Sequence, residues 1–302
     1  MGLGAYAMWG VFPLYFVLLV PAGALEILLH RVVWTLLVCI VLLTALRAWP
    51  GIRTVLRTPR TLLLLTAAAA LIATNWLVYA YGVLSEQVVQ TALGYYINPL
   101  FTVLLGVVVL RERLRPLQWA AVGTGLVAVL VLTAAFGQVP WIALTLAASF
   151  GMYGLLKNRV GRSVDAVHSL SIETAVLAPL ALALIAWMHA GGTATFGDGT
   201  VHSWLLVSTG VVTAVPLLLF AASARRIPLS TVGLLQYLTP TLQLLIGVVV
   251  FDEPMTVARW VGFALVWAAL AALTVDVLRQ SRRPPRRDVA DSSPAAHPVL
   301  DR

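Results

Sequence analysis

The sequence predicts an all-α membrane protein: ten transmembrane helices in two inverted five-helix repeats. Three observations predict it. Of 302 residues, 60% are hydrophobic and only 11% are charged. Apolar stretches long enough to span a bilayer recur along almost the whole chain. The chain also matches itself, without gaps, at a shift of 141 residues. A soluble domain carries about 25% charged residues because its surface faces water. With a mean hydropathy of +0.93, most of this chain needs lipid as its solvent, and the soluble classes are excluded.

A bilayer core of about 30 Å takes about 20 helical residues. Ten stretches are expected to span, at roughly 2–20, 26–46, 61–82, 88–110, 116–136, 140–156, 166–188, 203–223, 229–251 and 257–278. Each has to be helical, because open backbone in hydrocarbon leaves donors and acceptors unpaired. The period-two alternation of a membrane β-barrel is absent. The first stretch has no basic region before it, so it is expected to stay as a helix and not to leave as a signal peptide. Cys39, the single cysteine, lies in an apolar run and offers neither a disulfide nor a thiol metal site.

Arginine and lysine set the orientation. With the N-terminus inside, Arg47, Arg53, Arg57 and Arg60 share one cytoplasmic loop, and Arg111, Arg113 and Arg115 the next. Lys157, Arg159 and Arg162, then Arg225 and Arg226, then six tail arginines follow, so 18 of the 20 basic residues lie on one side. Only Arg31 and Arg259 fall opposite. Both termini are therefore expected in the cytoplasm. The net charge of +8 reports topology and does not mark a nucleic-acid partner.

At the 141-residue shift Tyr96-Ile-Asn-Pro99 faces Tyr237-Leu-Thr-Pro240, Gly106-Val-Val-Val109 faces Gly247-Val-Val-Val250, Glu112 faces Glu253, and Trp119 faces Trp260. Trp9-Gly10 meets Phe150-Gly151, and Phe12 meets Tyr153. A unit of five helices is odd, so its second copy enters the membrane from the other side. The units are read as 1–137 and 138–278, followed by a disordered basic cytoplasmic tail at 279–302. Inverted repeats around a central site are the construction of many secondary transporters.

Several segments then resemble the RarD family, bacterial inner-membrane proteins of the EamA type in the drug/metabolite transporter superfamily. They include Trp9-Gly-Val-Phe-Pro-Leu-Tyr15, Glu26-Ile-Leu-Leu-His-Arg31 followed by Trp34, Asn75-Trp76, and Ala92-Leu-Gly-Tyr-Tyr-Ile-Asn-Pro99. Leu110 to Trp119, Ser149-Phe-Gly-Met-Tyr-Gly154, Thr213 to Phe220 and Leu234 to Gln243 continue the likeness, which runs from Gly2 to about Asp276. The resemblance implies a ten-helix EamA fold and a carrier, an exporter of small organic metabolites or drug-like compounds, with no cofactor. Relatives carry a short basic segment before the first helix, and this chain begins with Met1. The alternative from another class is a non-transporting sensor or assembly protein on the same fold.

Polar residues within spans are the candidates for function. Glu26 and His30 share a helical face at the outer end of the second span, and Arg31 follows about 100° round. Together they suit a zwitterionic or anionic solute, or a proton carried by His30; otherwise Glu26 pairs with Arg31 or His30 as an interfacial cap. The resemblance, in which these three residues form a motif, favours a coupling or gating role. Glu173 lies about 10 Å into the seventh span with no basic residue within a turn. It reads either as a proton-coupling carboxylate or as a buried hydrogen-bond acceptor for a neighbouring helix.

Pro99 and Pro240 occupy matched positions and are expected to kink their helices symmetrically, freeing carbonyls near mid-span. Tyr95, Tyr96 and Asn98 stand around the first, and Gln236, Tyr237 and Gln243 around the second, so a polar cavity is expected there. Trp9, Phe12 and Tyr15 share a face, as do Trp76 and Tyr79 beside Asn75, and they offer an aromatic wall for an organic solute; Tyr153 is a further cavity-lining candidate. Trp49, Trp119, Trp141, Trp187, Trp204 and Trp260 read as an interfacial belt. Glu112 and Glu253 are expected in exposed loops, and no enzyme or metal motif is present. The expected partners are a small-molecule substrate, coupled protons and the lipid bilayer; a homodimer is compatible with this reading.

Overall fold

The computed structural model describes residues 1–111, 113–160, 164–224 and 234–281. Among them every regular element is an α-helix: α1 (Gly2–Gly10), α2 (Phe12–Val17), α3 (Ala24–Ala45), α4 (Trp49–Leu56), α5 (Pro59–Leu84) and α6 (Val88–Leu110). Then follow α7 (Pro116–Phe136), α8 (Trp141–Val160), α9 (Ala166–Ala190), α10 (Thr200–Ala224), α11 (Leu238–Val249) and α12 (Val257–Ser281). Seven of these are long and apolar enough to cross a membrane. The chain is a multi-pass helical membrane protein. Glu112, Arg162, Arg225, Arg226 and the start of the expected ninth span at 229 lie outside the described residues. So does the expected tail beyond Ser281, whose first three residues, 279–281, instead close α12.

The expected first span at 2–20 is not one helix. It breaks at Val11 between α1 and α2. Pro13 has no N–H to give the Trp9 carbonyl four residues back, so the α-ladder cannot continue. The short α4, amphipathic and unanticipated, fills the basic loop after α3.

Helix α3 packs on α9 and α10, α6 on α8 and α11, α7 on α12, α5 on α8, and α1 on both α10 and α11. Two close approaches set the α1/α11 and α6/α8 distances. A Cβ at Gly10 would lie 2.6 Å from Leu242, and one at Gly151 would lie 2.8 Å from Phe101. The 141-residue shift carries Gly10 onto Gly151 and Phe101 onto Leu242. One apolar core lies among α6, α7, α8, α11 and α12, around Leu93, Leu132 and Phe263. A second gathers Phe16, Ile27, Tyr79, Ile142 and Leu206. The six belt tryptophans are all exposed near helix ends, where an amphipathic ring suits an interface.

Candidate functional site

Arg31 lies between the second core, at Phe12 and Phe16, and a third apolar cluster that contains Trp76. Seven residues of α3 precede it, which places it about 10 Å from the helix end. The residue is only 6% exposed. Its guanidinium lies 4.1 Å from the Trp76 ring centroid, with Phe12 and Phe16 at 5.7 and 5.8 Å. Nε donates to Thr213 Oγ1 of α10 at 2.7 Å. A desolvated cation over such rings gains about 2 kcal/mol. Rings accept no in-plane hydrogen bonds, however, and no carboxylate lies within 4 Å among the described residues.

Around Arg31 the two halves share a polar network. Asn75 Nδ2 donates to the Leu146 carbonyl at 3.2 Å and to Ser149 Oγ at 3.1 Å, while Asn75 Oδ1 accepts from the Tyr95 hydroxyl at 3.3 Å. The Tyr95 ring packs on Tyr79, whose hydroxyl accepts from Gln243 Nε2 at 3.2 Å. The same Nε2 donates to the Trp9 carbonyl at 3.1 Å, an acceptor available because of the Pro13 break. Tyr15 reaches the other way, donating to the Leu205 carbonyl and bonding Ser208 Oγ. Trp9, Tyr15, Asn75, Trp76, Tyr79, Tyr95 and Gln243, named from the sequence, therefore share one region. Phe16 and Thr213 complete it. The signal for Thr213 was a deep arginine in need of an acceptor, which no local spacing identifies.

Glu26 caps neither His30 nor Arg31. Its carboxylate accepts from Thr195 N at 2.7 Å, Thr195 Oγ1 at 2.9 Å and Phe196 N at 3.1 Å, tying the loop between α9 and α10 over the end of α3. His30 stacks on Phe196, with ring centroids 4.8 Å apart, and its Nδ1 accepts from Trp34 Nε1. The proton of the neutral ring is therefore on Nε2, which is buried without a partner.

Glu173 has the basic partner that its own helix lacks. Lys157 Nζ of α8 donates to Oε1 at 2.8 Å, Ser169 Oγ donates to the same oxygen at 2.8 Å, and the Tyr153 hydroxyl donates to Oε2 at 3.2 Å. Glu173 is 1% exposed. Lys157, read from the sequence as one of a basic loop cluster, is a member of this buried group. Tyr153 joins this group through its hydroxyl and also packs against the cluster that contains Trp76.

The expected symmetric kinks are not found. Pro99 lies inside the unbroken α6, whereas Pro240 sits in the first turn of α11, after a turn at Gln236–Tyr237. Leu234 and Leu235 are themselves helical, so the path breaks at Gln236–Tyr237, where Pro240 has no N–H to give the Gln236 carbonyl four residues back, as at Pro13. Tyr95 lies with Asn75 and Tyr79, whereas Tyr237 lies with Tyr96. Tyr96 faces away from Tyr95, bonding Thr241 Oγ1 at 2.7 Å, and with Tyr237, Leu234 and Trp267 lines an apolar groove of about 490 Å³. Asn98 Oδ1 is buried without a partner.

Glu253 is half-buried, and its role reaches further than its own loop. Its carboxylate accepts from the backbone N–H groups of Val88 and Val89, capping the start of α6. Burial raises its carboxyl above the ordinary value of 4.5, against the opposing pull of those N–H groups and of Arg259. Among the described residues no three metal-ligating side chains converge.

The EamA-like transporter family matches residues 1–134 and 139–275. Protein RarD of Streptomyces exfoliatus is 52% identical over 283 residues, covering 93% of this chain and 89% of that protein. Protein RarD of Escherichia coli (strain K12) is 39% identical over 284 residues, covering 94% and 95%. An uncharacterized transporter of Vibrio cholerae serotype O1 is 41% identical over 283 residues, covering 92% of each. A crystal structure of a protein 21% identical shares the fold, with a TM-score of 0.59 over 93% of this chain and 97% of that one.

Proposed function

This chain belongs to the EamA-like transporter family, and from that premise we propose that it exports a small organic compound across the bacterial inner membrane by alternating access. It is a membrane transporter; the direction, the mechanism and the site are the proposal. The carrying observation is the exchange of partners between the halves. Gly10 of α1 meets Leu242 of α11, and Gly151 of α8 meets Phe101 of α6, the same contact with the repeats swapped. The larger pairings follow the same rule: α1 lies on α10 and α11 as α8 lies on α5 and α6. Interfaces so related can trade conformations, and a site between them then opens to each face in turn.

The solute binds where both halves contribute, beside Arg31, Trp76, Tyr79 and Gln243. Glu26, holding the loop at Thr195–Phe196, gates one end of the α3/α9 pair. Glu173 with Lys157 gates the other and carries the coupled proton. Ten spans with both termini cytoplasmic accord with the placement of the basic residues.

Purified protein in liposomes, assayed for counterflow against amino acids, amphipathic drugs and phosphorylated metabolites, tests this. Exchange of at least one class, lost on Gln243→Leu, is expected. No exchange of any class, with the protein folded, returns the chain to the sensor or assembly reading.

A further inference from the structure

We propose that the solute held at this site is an organic anion: a carboxylate or equivalent oxyanion seated on Arg31, with its apolar body against the aromatic walls. The proposal rests on the transporter reading and names the substrate class of that same site. A guanidinium offers five N–H donors in a planar fork that matches an oxyanion bidentately. Nε is used by Thr213. The four donors on the two terminal nitrogens have no acceptor among the described residues, although the side chain is 6% exposed and well inside the span.

Among the described residues no carboxylate lies within 4 Å of Arg31. Glu26 is committed to Thr195 and Phe196, Glu173 to Lys157, and Glu253 to the start of α6. The ionisable groups that the Arg31 charge does meet are Tyr95, Tyr79 and Tyr15, hydroxyl donors that are not acids at neutral pH. A buried charge without a partner is costly, and the cost ends when an anion binds. A cationic solute would be repelled at close range. A neutral one leaves the fork unpaired. A bound anion also makes the loaded site neutral overall, which favours its movement through a low-dielectric bundle.

The test uses the full chain in phosphatidylcholine vesicles, whose headgroups carry no net charge and so remove lipid anions as a source. Three probes share one skeleton: 3-phenylpropionate, 3-phenylpropionamide and 3-phenylpropylamine. Chloride and inorganic phosphate form further arms. Binding is read from tryptophan fluorescence. The carboxylate is expected to bind about tenfold or more tighter than the amide or the amine. Arg31→Gln should erase that preference, whereas Arg31→Lys and Thr213→Val should keep its sign at lower affinity.

Equal binding of the three probes, binding of none, or unchanged carboxylate affinity in Arg31→Lys and Thr213→Val overturns the proposal, even if Arg31→Gln fails to fold. Chloride or phosphate competing as well as the carboxylate overturns the organic-substrate assignment. Counterflow in the same vesicles separates the two readings. Anion-selective binding with no counterflow sinks only the transporter reading, and counterflow of neutral or cationic solutes indifferent to Arg31 sinks only this one.

Discussion

The side-chain amide of Gln243 donates to the backbone carbonyl of Trp9 over 3.1 Å, joining the second half of the chain to the break in the first. The bond exists because Pro13 cannot supply the donor that a continuous helix would place there. Gln243→Leu removes this link and the bond to Tyr79 together. A loss of about 1–3 kcal/mol is expected. Thermal unfolding followed by thiol labelling of Cys39, buried and single in the chain, measures it. Unchanged unfolding would show that the Trp9 carbonyl needs no side-chain donor.

The Lys157–Glu173 pair predicts a non-additive pattern. Removing one partner of a buried ion pair leaves the other charge uncompensated, at a cost of about 3–5 kcal/mol. Lys157→Met should therefore destabilise more than the double variant Lys157→Met, Glu173→Leu. A double-mutant cycle by the same thiol assay reads the coupling, and simple additivity would rule it out. Glu173→Gln should in addition flatten the pH dependence of counterflow.

Glu253 gives a pH prediction of unusual sign for a carboxylate. Because burial raises its folded value above 4.5, the folded chain retains a proton that the unfolded chain has released. Its contribution is fully present below that ordinary value and is lost as pH rises through the raised one. Relative to Glu253→Gln, which does not titrate, the native protein should lose stability on going upward from mildly acidic pH. A stability difference that is flat across that window, or that rises with pH, would falsify this.

Gly10 and Gly151 should respond alike to substitution. A methyl at Gly10 meets Leu242, and one at Gly151 meets Phe101, both well inside van der Waals contact. Each change to Ala should cost about 1–3 kcal/mol by overpacking. Leu242→Ala should rescue the first and Phe101→Ala the second. Rescue at one site only would show that the two interfaces are not equivalent.

Much of this molecule is local and therefore legible in its residues. Span length, apolar composition and the register of Tyr96–Pro99 against Tyr237–Pro240 are read along the chain, and they identified an all-helical membrane protein; its family was legible in the resemblance of segments such as Trp9–Tyr15 and Ala92–Pro99. Trp9, Tyr15, Asn75, Trp76 and Tyr79 read as one wall and Tyr95 and Gln243 as part of a cavity at the prolines; that the two sets adjoin was not legible. Tyr96 and Tyr95 could not be separated, because adjacent residues point to different helical neighbours once rotation about the axis is set. The difference between Pro99 and Pro240 was hidden as well: each lacks the same donor, and only packing decides whether the helix runs on, as at Pro99, or breaks, as before Pro240.

The sequence by itself determined that few polar groups lie in the spans and that each must be satisfied, because lipid offers no hydrogen bonds. Only the tertiary structure decided with what. Glu26 found the Thr195–Phe196 loop instead of its neighbours His30 and Arg31, and Glu173 found Lys157 on another helix. Arg31 found rings and one hydroxyl but, among the described residues, no acid within 4 Å. These outcomes depend on the rotation and depth at which helices dock, which are set by contacts such as Gly10 against Leu242. Helical periodicity alone leaves both free.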